Sequence, residues 1–80
     1  MTIDADLLDL LASHWAMLRP AIPEAARLGA RWEQMSTAFV EREDGVAVAH
    51  AGVLWIPMVI DGEARPVAGV HAVCTAATHR

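Results

Sequence analysis

The last fifteen residues, Pro66 to Arg80, constrain the fold more than any other stretch. They read Pro-Val-Ala-Gly-Val-His-Ala-Val-Cys-Thr-Ala-Ala-Thr-His-Arg. Val67, Gly69 and Val73 alternate with Ala68, Val70, Ala72 and Cys74, so a strand here is small or apolar on both faces. Such a strand is normally central in a sheet covered on both sides. It needs neighbouring strands and covering helices, and only the chain before it supplies them. The expectation is an incomplete domain, or one half of an assembly.

The chain has 80 residues, enough for one domain with a modest core. It is 55% hydrophobic with a mean hydropathy of +0.33, rich for so short a chain, so part of its apolar surface expects a further segment or subunit. One cysteine excludes an internal disulfide, and no cluster of metal ligands is visible in the sequence. A net charge of −4 with six basic residues argues against nucleic acid, which needs phosphate-neutralising patches. The longest apolar stretch, Val46 to Ile60, is interrupted by His50, Gly52 and Pro57, which argues against a membrane span. Asp4, Asp6 and Asp9 stand where a secretory signal carries basic residues, so the expected location is cytoplasmic.

The period of the apolar residues predicts an α/β chain of the α+β kind. Its parts are a helical pair over residues 1–36 and mostly antiparallel strands over 37–80. Leu7, Leu8, Leu11, Trp15 and Leu18 recur at helical spacing over residues 4–19, with Asp4 or Asp6 as cap and Arg19-Pro20 as stop. Pro23-Glu24 suits the first turn of a second helix, whose stripe is Ala25, Leu28, Trp32 and Met35. Ala38 to Glu43 reads as a short strand closed by Asp44-Gly45. Val46 to Ile60 is a long strand with a bulge or free edge near Gly52 and Pro57. Asp61 to Ala64 turns the chain back into Pro66–Ala76, pairing Ile60 with Arg65, Leu54 with His71 and His50 with Thr75.

These residues offer no nucleophile–base pair, no glycine-rich phosphate loop and no paired carboxylates at a telling spacing. A resemblance goes further. Val73-Cys74-Thr75-Ala76-Ala77-Thr78-His79-Arg80, entered from Val67-Ala68-Gly69-Val70, resembles the fourth strand and strand exit of the GNAT superfamily of acyl-CoA-dependent N-acetyltransferases. The Thr-His-Arg ending is most similar to the enhanced-intracellular-survival branch. Ala77 departs from the proline usual there. The order of elements resembles the first half of that fold.

The resemblance implies a strand whose free backbone groups pair with the pantetheine arm of acetyl-CoA, flanked by the small side chains of Val73, Cys74 and Thr75. Arg80 then begins the loop that holds the pyrophosphate. The glutamate base of some members is not inherited. His71 is the titratable side chain in mid-strand and the candidate catalytic base for an amine, small-molecule or peptide. The plainer role for His71 is a hydrogen bond within the sheet, and for Cys74 a small core side chain. The implied function is the N-terminal portion of an N-acetyltransferase, inactive as these 80 residues alone. The alternative is a non-catalytic α/β interaction module completed by a partner chain or a second copy, a homo-oligomer in the latter case.

Overall fold

The computed structural model describes residues 3–80. Two helices, α1 (Ala5–His14) and α2 (Leu18–Arg27), and a single turn, α3 (Trp32–Met35), precede the strands. These are β1 (Thr37–Glu43), β2 (Val46–Ile60) and β3 (Glu63–Thr75), and a short 3-10 turn, Ala77–His79, follows. The sheet has three antiparallel strands in the order β1-β2-β3. The expected mixed architecture of helices followed by an antiparallel sheet is the one observed.

The helix boundaries differ from expectation for local reasons. Arg19-Pro20 does not end α1 but lies in the first turn of α2, where a missing N–H costs no intrahelical bond. Gly29, at φ 102°, stops the second helix, so the stripe through Leu28, Trp32 and Met35 is broken and Leu28 and Met35 are exposed. Asp4 occupies the N-cap position of α1 without capping it, because its carboxylate accepts from Arg42 at 3.0 Å.

The core lies where α1 and α2 cross one end of the sheet: Leu7, Leu10, Leu11, Ile22, Ala47 and Cys74. Leu11 is fully buried, which contributes about 1.5–3 kcal/mol. Asp6 ties α1 to the sheet by accepting from Arg42 Nε and from the Ala47 N–H, both at 2.9 Å. The Arg42 hydrogen bond, helped by that of Ala47, holds the Asp6 carboxyl below its ordinary range against the opposing effect of burial.

Both hairpins turn on Asp-Gly. Asp44 and Gly45 have φ 52° and 77°, Asp61 and Gly62 have φ 51° and 79°, the positive pair a two-residue I′ turn requires. The second turn therefore spans two residues rather than four. The register follows: Ile60 pairs with Glu63, Leu54 with Gly69 and His50 with Cys74, not with Arg65, His71 and Thr75. The offset falls from two residues at the tip to one at His50 because a bulge intervenes. Gly52 pairs with His71 and His50 with Cys74, leaving Ala72 and Val73 opposite Ala51. A smaller irregularity in the β1 pairing brackets Val48.

The helices cover only part of the sheet. Beyond Leu54 the β2–β3 hairpin runs on with both faces exposed, giving the molecule a long dimension of 46 Å. No helix among the described residues is long and apolar enough to cross a membrane.

Candidate functional site

The bulge decides where the expected site residues point. In a regular strand His71 and Val73 would share a face. Here His71 and Cys74 turn toward the helices, whereas Val73 is exposed on the opposite, open face and Thr75 is half-buried there. Ala72 takes the left-handed conformation at φ 52°, a strain of roughly 1–3 kcal/mol for a residue with a Cβ. Buried His50 supports it: its Nδ1–H donates to the Ala72 carbonyl at 2.8 Å. The other ring nitrogen, Nε2, is buried and has no hydrogen-bond partner among the described residues.

Val73, Cys74 and Thr75 come together along one groove of about 470 Å³. Its wall on the β1 side is Phe39 and Glu41, and its floor is Ala49 and Ala51 of β2. The sequence reading missed this β1 contribution. The signal was the alternate small residues Ala49 and Ala51 inside an otherwise bulky strand. Cys74 enters the groove only from beneath, since its side chain belongs to the core. Burial pushes its thiol up, with Arg80 offsetting part of the effect, so it is a poor nucleophile.

Arg80 folds back over the end of β3. Its Nε donates to the Thr75 carbonyl at 3.3 Å and its Nη2 to His14 Nε2 at 3.0 Å. Beside it, His79 Nε2 lies 2.8 Å from Glu43.

On the helix-covered face, His71 is half-buried. Its Nε2 lies 2.7 Å from Ser36 Oγ, and its ring centroid is 5.2 Å from that of Trp32. Ser36 precedes β1 and His71 belongs to β3, so this bond crosses the central strand. Gly52 makes the crossing possible: a Cβ there would stand 2.6 Å from His71 Nε2 and 2.8 Å from Ser36 Oγ. The pair is separated by 35 residues, so no local sequence pattern announced it. The partner of His71 is therefore a residue just before β1 rather than a group of the sheet itself, and the ring faces away from the groove that Val73 and Thr75 line.

β3 has one strand neighbour, β2, and its other edge is unpaired among the described residues. An unpaired edge offers N–H and C=O groups to an extended chain. No family model, curated protein or solved structure matches this chain.

Proposed function

We propose that this protein carries the acyl-CoA strand of a GNAT-like N-acetyltransferase, with acetyl-CoA as co-substrate, an amine as acceptor and the cytoplasm as its setting. The observation that supports this most is the free edge of β3, interrupted at Ala72–Val73 beside the open groove. A pantetheine arm is an extended chain with two amides, and such an edge pairs with it as an added strand. The bulge releases backbone groups from the ladder where the thioester would lie.

In that reaction the amine nitrogen attacks the thioester carbonyl carbon. A C–N bond forms, the C–S bond breaks, and the sulfur leaves as the CoA thiol with the proton shed by the amine. His71 is the proposed proton acceptor: Ser36 engages Nε2 and leaves Nδ1 as the second ring nitrogen. It serves an amine on the helix-covered face. Titrating the ¹⁵N-labelled chain with acetyl-CoA tests this reading. Saturable shifts at the amides of Val70 to Thr75 support it, and an unchanged β3 spectrum at millimolar acetyl-CoA overturns it.

A second reading, the non-catalytic interaction module, is favoured by the projecting hairpin. Trp55 (66% exposed), Val59 (73%) and Val70 lie on the open face, and Ile56, Met58 and Ile60 on the other are also exposed. Apolar surface of this extent marks an association site. A second copy is the occupant this reading assigns. Light scattering decides: a concentration-dependent dimer mass that Trp55→Ser abolishes supports it, and a monomer mass at all concentrations contradicts it.

A further inference from the structure

Among the described residues, Ala72 alone carries a Cβ in the left-handed conformation inside a strand rather than in a turn. Glycine would sit there without the clash that a Cβ brings. A strained residue persists where its surroundings hold it, and such positions concentrate at switches and ligand clamps. Two ties hold this one. Buried His50 donates from Nδ1 to the Ala72 carbonyl at 2.8 Å, and past the bulge the Ala76 N–H donates to the Val48 carbonyl at 2.7 Å.

The alternative to the bulge is already written in the pairing. From the tip to Gly52 the two strands keep one register, and if it ran on unbroken His50 would face Val73 and Ala49 would face Cys74. Because side chains alternate, such a one-residue slip exchanges their faces. Cys74 would leave the core for the open groove beside Ala49, and Val73 would take its place under the helices. Both are small and apolar, so either can fill the core position. Ala72 would regain ordinary strand geometry, at the loss of the His50 bond.

We propose that the end of β3 is a two-state register switch, in which His50 is the catch of the bulged state and a slipped state turns Cys74 into the groove. The switch selects which side chains line the groove beside the free edge of β3. Its bearing on acetyl-CoA rests on the acetyl-transfer reading. The switch itself does not, and is measured without ligand.

The test is the rate at which Cys74 reacts with 5,5′-dithiobis(2-nitrobenzoic acid) in native buffer and in low urea. A slip exposes little surface, so its labelling rate should stay flat below the unfolding transition, whereas labelling through global unfolding climbs with the full unfolding slope. His50→Phe keeps a ring and removes the donor. It should raise the flat rate about tenfold and move the cross-strand nuclear Overhauser contacts of position 50 from Cys74 toward Val73. Ala72→Gly removes the strain and should lower the rate at least about fivefold, and it should restore protection when combined with His50→Phe. Wild-type labelling that follows the unfolding slope, or a folded His50→Phe with unchanged rate and contacts, overturns the switch. Should His50→Phe unfold, Ala72→Gly decides alone, and an unchanged rate in it overturns the proposal. A switch without any acetyl-CoA effect at β3 sinks the acetyl-transfer reading and leaves the switch standing. An acetyl-CoA effect with Cys74 labelled only through unfolding does the reverse.

Discussion

The two ends of the β2–β3 hairpin are built from similar residues and live in different surroundings. At the base, Ala47, Val48, His50 and Cys74 are buried under α1 and α2, and an ion-paired carboxylate fastens helix to sheet. Toward the tip, Trp55, Ile56, Val59 and Val70 carry the same apolar alternation with nothing over them. Hydrophobicity along a strand records what the strand is suited to touch, not what touches it. The base is where stability is made, and the arm and the β3 edge are where binding is available.

That contrast predicts how substitutions divide. The largest effect belongs to Leu11→Ala, which removes the fully buried side chain of the core: a loss of about 2–5 kcal/mol in denaturant unfolding is expected. A loss below that range would mean that the base is looser than described. Next comes Gly52→Ala. Its Cβ would displace both Ser36 Oγ and His71 Nε2, at a cost of roughly 1–3 kcal/mol. The His71 ring resonances should move with it, and unchanged resonances would show that the pair does not cross β2 as described.

A smaller effect reads the fastening of α1. The folded Asp6 carboxyl ionises below its ordinary value, so its stabilisation is complete above the unfolded pKa of about 4 and is lost as pH falls through the folded one. Wild-type stability should therefore drop more steeply below about pH 4 than that of Asp6→Asn, which lacks this group. Parallel acid limbs would contradict the tie. The smallest effect belongs to the arm: Val59→Thr should change the stability of the monomer by less than about 0.5 kcal/mol. A larger loss, growing with protein concentration, would show that the arm is already covered by a second copy.

Much of the fold was legible because its signals are local. Leu7 and Leu11 at helical spacing, and two Asp-Gly pairs flanked by apolar alternation, specify α1 and both hairpins through short-range physics. The second helix was misjudged where a proline and a glycine were weighed wrongly: Pro20 sits harmlessly in a first turn, while Gly29 ends the helix. The candidate site was less legible because it depends on the Ala72–Val73 bulge. Nothing in Val-His-Ala-Val-Cys marks that bulge; its signs lie on the partner strand, in Gly52, where an irregularity was expected, and in His50, whose Nδ1–H holds the Ala72 carbonyl. Without the bulge, Val73 would share a face with His71. With it, His71 joins Ser36 and Trp32 under the helices while Val73 and Thr75 line the open groove.

Amide hydrogen exchange along β3 addresses the central proposal, that its outer edge is a vacant backbone edge for the pantetheine arm. Without ligand, amides directed at β2 should exchange slowly and the alternate, outward ones fast, and acetyl-CoA should slow the outward amides around Ala72 and Val73 selectively. Outward amides that are protected before any ligand is added, or that stay fast with acetyl-CoA at saturation, would contradict it.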